Sequence, residues 1–178
     1  MKKQPEITDK TRQAFVDIFC ELYRLKPIEK ISVQEIANKS GYNRSTFYQY
    51  FADLYELLEY VENDLLTYIK RVKKHSTKDS IPQDITNLFS EKGMYLNALL
   101  GDYGNIRFLE RLKKEIPLNE RDLNIPDNTP ITPYLVEFHI STSFSLFRLW
   151  QRRQDDLSPE ELFDLINRLY TSGISTVT

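Results

Sequence analysis

The segment Ser32–Phe51, SVQEIANKSGYNRSTFYQYF, constrains the fold of this chain more than any other stretch. It contains signals for two short helices separated by a tight turn, the layout of a helix-turn-helix, which places its second helix in the major groove of DNA. Ser32 is a favourable N-cap, and Glu35 three residues later completes a capping box. Gly41 follows the first helix, where a left-handed backbone is usually required. Asn43 is an N-cap for the second helix.

The second helix of this segment has one face suited to burial and one suited to contact. Phe47 and Phe51 are four residues apart, which places both on the same side. The other side chains from position 44 onward are rich in hydrogen-bond donors and include no acid. DNA sequence is read from base edges, whereas much of the affinity comes from phosphates. We therefore predict DNA contacts from Ser32, Val33, Tyr42, Asn43, Arg44, Ser45, Thr46, Tyr48 and Gln49.

Within this set, side-chain chemistry indicates separate roles. Arg44 suits guanine, and Gln49 suits adenine or a phosphate. Ser32 and the free amides at the start of the first helix form one phosphate site, and the phenol of Tyr48 suits another. The alternative for Tyr42 and Tyr48 is that both fill surface grooves.

The order of these residues resembles the TetR (tetracycline-repressor) family of bacterial regulators. The matching positions are Ile31–Ala37 (ISVQEIA), Gly41–Tyr42, Thr46–Tyr48, Tyr50–Phe51 and Leu57–Leu58. Beyond this N-terminal part, only the size and the helical pattern agree with the family. The resemblance implies a homodimer joined through the last two long helices. It also implies an effector pocket in the helical body, where ligand binding shifts the two heads out of DNA register.

One position departs from the family pattern. Members of the family commonly have a lysine near the start of the fourth helix that contacts phosphate. This chain has Leu54 there, within the run Asp53-Leu54-Tyr55-Glu56. This chain therefore has no lysine at the start of the fourth helix, where the family pattern has one. Either Tyr55 or the amides of the fourth helix replace it, or the affinity for DNA is lower.

Apolar periodicity is helical nearly throughout, so we predict an all-α fold. An N-terminal three-helix head is joined by a long fourth helix to a C-terminal helical bundle. The domains are then residues 1–52, for DNA binding, and 53–178, for dimerisation and effector binding. Outside the opening segment, we expect helices at about residues 8–25, 53–75, 82–100, 105–116, 134–153 and 158–173, with a long loop over 117–133. Leu25 and Ile106 are expected to face the core, and Gly93 indicates close packing, a cavity wall or a tolerated glycine.

The helical body carries two groups of residues with predicted roles. Dimer-interface candidates recur at helical spacing on the last two helices: Leu146, Trp150, Leu162, Leu165, Ile166 and Leu169. Candidates for an effector pocket are mainly aromatic: Tyr95, Tyr103, Phe108, Phe138, His139 and Phe147. The alternative for both groups is intrachain core, which is the commoner role of aromatic residues at helical spacing. The effector is either a small molecule or a protein partner.

Composition limits the compartment and the kind of partner. The net charge is −2, but residues 1–51 hold nine Lys or Arg and six Asp or Glu, a net +3, whereas the remainder holds 15 against 20, a net −5. A basic head on an acidic body suits a protein that meets phosphate at one end. The single cysteine, Cys20, cannot form an internal disulfide, and no apolar run is long enough for a membrane span. We therefore expect a cytoplasmic protein without membrane contact.

These features predict a sequence-specific DNA-binding transcriptional regulator. We expect a repressor that binds a palindromic operator in double-stranded DNA as a homodimer and is released by an effector. The alternative is a protein-interaction adaptor or coactivator that keeps the helix-turn-helix shape with weak or no direct DNA binding. We expect no enzymatic activity, cofactor or metal site, because Cys20 lies near the packed stripe of its helix and His75 and His139 have no flanking ligand spacing.

Overall fold

The computed structural model describes residues 5–77, 80–116, 130–153 and 156–174. Every regular element in these ranges is helical, which confirms the predicted all-α fold. The helices are α1 (Pro5–Leu25), α2 (Val33–Ser40), α3 (Arg44–Phe47), α4 (Leu54–His75), α5 (Ile81–Leu100), α6 (Ile106–Glu115), α7 (Thr132–Arg152) and α8 (Pro159–Ile174), with a 3-10 turn at Ile28–Lys30. Most of the predicted loop over 117–133 lies outside the described residues. Within the described ranges, no helix has the length and hydropathy that crossing a bilayer requires.

Two compact units divide the chain. Unit 1 takes in Met1–Ile69 and Lys92–Phe108, and unit 2 takes in Lys70–Glu91 and Leu109–Thr178. The helices α4, α5 and α6 therefore each contribute residues to both units. These units are defined by compactness. The predicted boundary after residue 52 divides the chain by function, and it stays a prediction.

The core of unit 1 is formed by aromatic and aliphatic side chains of the first four helices. Phe15, Phe19 and Phe47 are fully buried, and the ring centroids of Phe15 and Phe47 lie 5.4 Å apart. Cys20 is a buried core residue, and burial raises the pKa of its thiol to about 12. Leu25 was expected in this core, but it is exposed because it is the last residue of α1 and lies beyond the packed turns.

The C-terminal half of α5 belongs to unit 1 and is held there by polar contacts. Gln13 on α1 donates to the Tyr95 hydroxyl at 3.2 Å. Lys92 forms an ion pair with Asp64 on α4, and its Nζ lies 4.4 Å from the centroid of the Tyr95 ring. A Cβ at Gly93 would meet no atom within 4 Å, so this glycine marks no close packing.

At the corner between α5 and α6, one residue that was expected in the core is exposed. A turn joins α5 to α6, with the Gly104 amide donating to the Gly101 carbonyl at 3.0 Å. A Cβ at Gly104 would lie 2.1 Å from the Leu99 carbonyl oxygen, so the turn requires glycine there. Ile106, at the start of α6, is 71% exposed, whereas Phe108 is buried. The inward face of α6 therefore begins two residues later than the sequence pattern suggests.

The core of unit 2 is built around Trp150. Its ring packs edge-on against Phe89, with centroids 5.4 Å apart, and also contacts Phe147. Its indole Nε1 donates to the Leu157 carbonyl at 2.8 Å. At the start of α8, the Glu161 amide donates to Ser158 Oγ at 3.2 Å and the Ser158 amide donates to the Glu161 carboxylate at 2.7 Å, a complete capping box.

Candidate nucleic-acid interface

The start of α2 is capped by Ser32. Its Oγ accepts a hydrogen bond from the Glu35 amide at 3.1 Å, as a capping serine does. The Glu35 carboxylate is engaged instead by Lys26, whose Nζ lies 2.7 and 2.8 Å from its two oxygens. The predicted capping box is therefore half formed, and the ion pair connects α2 to the segment that follows α1.

The turn after α2 is the one the sequence predicts. Gly41 has φ 76°, in the left-handed region that favours glycine. The Tyr42 amide then donates to the Ala37 carbonyl at 3.0 Å, which closes the helix end. The Tyr42 ring packs against Phe15 at a centroid distance of 5.4 Å, and its hydroxyl accepts from Thr11 Oγ1 at 3.4 Å. Tyr42 thus helps to hold α3 against α1 and still exposes part of its ring.

Asn43 organises the N-terminus of α3. Its Oδ1 accepts from the Thr46 amide at 2.8 Å, from the Thr46 hydroxyl at 2.9 Å and from the Ser45 hydroxyl at 2.6 Å. Both hydroxyl hydrogens are therefore directed at Asn43. In this arrangement Ser45 and Thr46 present lone pairs outward, so they are acceptors where the sequence had suggested donors.

The α-helical part of α3 is a single turn, shorter than expected, and further turns continue to Tyr50. Arg44 and Tyr48 lie one helical turn apart on its exposed side. Arg44 Nη2 donates to the Tyr48 hydroxyl at 3.3 Å, and the guanidinium carbon lies 5.9 Å from the ring centroid. Because the tyrosine supports the guanidinium, the two side chains form one contact unit.

The predicted DNA-contacting residues lie on the surface of this segment. Seven of them are exposed: Ser32, Tyr42, Asn43, Arg44, Ser45, Tyr48 and Gln49. Val33 and Thr46 are half-buried. Phe47, on the opposite side of α3, is fully buried and contacts Phe51, which confirms the predicted inward face. One short helix is thus anchored by aromatic packing while its polar side chains face outward.

The N-terminus of α4 is occupied by its own carboxylates. Asp53 Oδ1 accepts from the Tyr55 amide at 2.8 Å and from the Glu56 amide at 2.9 Å. The Glu56 carboxylate accepts from the Ala52 amide. The Tyr55 and Glu56 amides, two of those expected to replace the missing cation at Leu54, therefore already have an acidic partner. Tyr55 is exposed and stays a candidate.

Arg12 is a cation near this surface that the sequence did not reveal. Its guanidinium carbon lies 5.9 Å from the centroid of the Tyr50 ring and 5.7 Å from that of Tyr60, and it pairs with Asp9 at 3.0 Å. Only the packing of α1 against α3 and α4 brings these residues together, so no local sequence signal was available.

The six residues predicted for an effector pocket do not converge within either unit. Tyr95, Tyr103 and Phe108 belong to unit 1, whereas Phe138, His139 and Phe147 belong to unit 2. Of the latter three, Phe138 and His139 line one cavity of about 30 Å³, enough for roughly one water molecule.

A larger cleft of about 360 Å³ lies in unit 1, which sequence patterns did not indicate. It lies between α1 and α5 and is lined by Asp17, Ile18, Cys20, Glu21, Arg24, Met94 and Asn97.

The predicted dimer-interface residues divide into core and surface. Trp150 and Leu162 are buried inside the protomer, so they have almost no surface to offer a partner, and this part of the prediction is corrected. Leu146, Leu165 and Ile166 are half-buried, and Leu169 is 55% exposed. Exposed apolar side chains also occur on α7: Tyr134, Phe138 and Leu149. Among the described residues, no group of three or more His, Cys, Asp or Glu side chains is placed to hold a metal ion.

Comparisons with known proteins agree with this geometry. The family described as bacterial regulatory proteins, tetR family, matches residues 20–61, which include α2, α3 and the start of α4. A tetR-family transcriptional regulator from Streptomyces coelicolor has a similar structure, with a TM-score of 0.64 over 94% of this chain and 82% of that chain. The two sequences are 14% identical, so this likeness concerns the fold. A search of curated proteins found no match. Residues 20–61 thus match the tetR family, and the chain shares the fold of a tetR-family transcriptional regulator.

Proposed function

We propose that the protein is a cytoplasmic repressor that binds a palindromic operator as a homodimer and leaves it when an effector binds. The observation that carries the proposal is the exposed polar surface of α2 and α3, held in place by buried Phe47. A short helix whose outward residues are hydrogen-bonding groups, with no carboxylate among positions 41–51, suits a polyanionic groove.

The proposed DNA contacts follow from the hydrogen bonds within this surface. Arg44, supported by Tyr48, suits the N7 and O6 acceptors of guanine. The outward lone pairs of Ser45 and Thr46 suit the amino groups of adenine or cytosine. Ser32 and the first amides of α2 suit a phosphate.

The proposed homodimer uses the face of α7 and α8. Tyr134 and Phe138 are 76% and 57% exposed, and Leu169 on α8 is 55% exposed. Contiguous exposed apolar side chains mark an association surface more often than a free one. Two copies joined there would present two α3 helices, and a palindrome whose half-sites are about 34 Å apart requires such a pair.

The proposed effector site is supported by cavity size. The cavity beside His139 holds about one water molecule, which excludes an organic ligand. The α1–α5 cleft, at about 360 Å³, lies within the range of roughly 300–1,000 Å³ typical of small-molecule pockets. It includes residues of α1, the helix against which α2 and α3 pack, so a ligand there is well placed to alter the head.

A selection from random duplex DNA tests this function. The expected result is enrichment of a palindrome, bound by the full chain in fluorescence-anisotropy titrations with a steep salt dependence. A reporter carrying the selected sequence across its promoter should be repressed when the protein is expressed. Enrichment of single half-sites only would contradict the homodimer, and absence of any enrichment would contradict direct reading of DNA.

The second candidate function is a protein-interaction adaptor with weak or no direct DNA binding. The observation that favours it is the edge of α4, where Leu54 stands at the expected position of a cation and Asp53 and Glu56 occupy the amides. Under this alternative, the same selection yields no enriched sequence even at low salt, where phosphate contacts are strongest.

A further inference from the structure

Two polar groups on the α7–α8 face lack partners. His139 on α7 and Tyr170 on α8 have ring centroids 4.3 Å apart, inclined at 64°. His139 Nδ1 and the Tyr170 hydroxyl are both buried, and neither has a hydrogen-bond partner among the described residues. A buried polar atom without a partner costs about 1–3 kcal/mol, so such a pair calls for a physical explanation.

The two groups share one small cavity at the edge of an exposed apolar surface. The cavity has a volume of about 30 Å³ and is lined by Phe138, His139, Thr142, Leu146, Ile166, Leu169 and Tyr170. Phe138 and Leu169 form its rim and are more than half exposed, although both are large apolar side chains. The polar pair is thus enclosed on its inner side and bordered by apolar surface on its outer side.

No carboxylate lines this cavity, and the charged groups nearby have other partners. On α7, the Glu137 carboxylate accepts from Ser141 at 2.7 Å and from Lys113 of α6 at 3.1 Å. On α8, Arg168 pairs with Asp164 at 2.9 Å. An imidazolium at His139 would therefore have no counter-ion in the lining. Burial, the only cause identified, lowers the pKa of His139 below its usual value of 6.5, and burial raises the pKa of the Tyr170 phenol.

We propose that a second copy of this chain completes the His139–Tyr170 site, so that association of the two copies requires a neutral imidazole. The inference rests on the proposed homodimer and adds that its association is regulated by pH. Docking of the second copy on Phe138 and Leu169 closes the open side of the cavity. The partner copy then brings neutral hydrogen-bonding groups to the pair, and exposed hydroxyls such as that of Ser145 on α7 have the required chemistry.

The direction of the pH dependence follows from linkage. Covering His139 removes more water from it and lowers its pKa further, so the dissociated form binds more protons than the dimer as the pH falls through the already lowered pKa of His139 in the single chain. Association is then unaffected above that pKa and weakens below it. Each dimer contains two such sites, so the fall in pKa on docking acts twice on the dissociation constant.

Sedimentation of the full chain at pH 7.5, 6.5 and 5.5 tests the inference at constant ionic strength. We expect a dimer at pH 7.5 whose dissociation constant rises about tenfold or more by pH 5.5. His139→Gln, which keeps a neutral hydrogen-bonding side chain, should give a dimer with no such rise. The chain has only two histidines, and His75→Gln is the matched control because His75 is exposed at the end of α4. That control should keep the full pH dependence.

A second measurement keeps the test decisive if His139→Gln fails to fold. In the wild-type protein, the NMR titration of the His139 ring should shift to lower pH as protein concentration rises. Equal dissociation constants at pH 7.5 and 5.5 would overturn the inference and leave the homodimer intact. A monomer at every pH would overturn the homodimer itself. Loss of helical circular dichroism in parallel with dissociation, in both wild type and His139→Gln, would also overturn the inference.

Discussion

The α2–α3 segment and the α7–α8 pair show opposite relations between side-chain chemistry and exposure. In the first, aromatic Phe47 is fully buried and the exposed residues are mostly polar, with Arg44 and Tyr48 supporting each other. In the second, exposed positions include large apolar side chains such as Tyr134, and buried positions include polar atoms with no hydrogen-bond partner in the part of the chain that the structure describes.

The two surfaces therefore differ in whether contacts within the chain bury their apolar side chains and satisfy their polar atoms. The α2–α3 segment satisfies its helix ends and its core within the chain, and it presents a polar surface to solvent. The α7–α8 pair leaves apolar area exposed and polar atoms unsatisfied, which is the condition of half an interface. The predictions that follow test this contrast, from the largest expected effect to the smallest.

The largest effect is expected from removing a core aromatic ring. Phe47→Ala should lower the free energy of unfolding by about 3–5 kcal/mol, because the ring is fully buried against Phe15 and Phe51. Phe138→Ala is the matched change on α7, where the same side chain is more than half exposed. It should change the stability of the dilute monomer by about 0.5 kcal/mol or less. It should weaken self-association about tenfold or more.

Urea denaturation followed by circular dichroism, together with sedimentation, measures both effects. Similar losses of stability in the two variants would remove the contrast between the two regions.

The next effect concerns DNA binding by the Arg44–Tyr48 unit. Arg44→Ala should cost about 1–3 kcal/mol of binding free energy and relax base preference at one position of each half-site. Tyr48→Ala should weaken binding to all sequences. Tyr48 supports the guanidinium, with the hydroxyl oxygen 3.3 Å from Arg44 Nη2. The loss of binding free energy in the double variant should therefore be smaller than the sum of the two single losses, by about 0.5 kcal/mol or more.

Anisotropy titrations on the selected operator and on scrambled DNA measure these losses, with Tyr48→Phe as the control that keeps the ring. Strictly additive losses would mean that the two side chains act independently.

Two glycines give effects of opposite sign. Gly41→Ala should destabilise the protein by about 1–2 kcal/mol, because its φ of 76° is unfavourable for a residue with a Cβ even though the space around it is open. Gly173→Ala, within α8 and equally open, should stabilise it by up to about 1 kcal/mol through helix propensity. Thermal and urea denaturation at pH 7.5 decide the sign. A loss at both positions would show that φ is not the cause.

The smallest effect tests the edge of α4. Leu54→Lys should tighten DNA binding modestly and steepen the salt dependence by about one unit, because it adds one phosphate contact. Leu54→Met is the uncharged control and should leave the slope unchanged. Salt titrations of operator binding provide the comparison. An unchanged slope in Leu54→Lys would place this edge away from the DNA backbone.

Local signals accounted for the helix boundaries and for much of the candidate interface. Ser32 and Asn43 as N-caps, and Gly41 at φ 76°, act where the sequence places them, because caps and turns depend on neighbouring residues only. Burial was harder to predict for residues at the ends of the apolar faces of helices. Leu25 and Ile106 fit a helical period and yet are exposed, because periodicity defines a face and does not define how far along the helix a neighbour covers it.

The sequence by itself determined the helix-turn-helix, its caps and the set of polar side chains on α3, since these depend on contacts a few residues apart. Tertiary packing decided which hydrogen-bonding atoms and surfaces of each side chain remain available for binding. It directed the hydroxyls of Ser45 and Thr46 at Asn43 and buried Trp150 against Phe89. It also placed His139 beside Tyr170, 31 positions later in the chain. Such contacts depend on how helices distant in sequence meet, which no local pattern encodes.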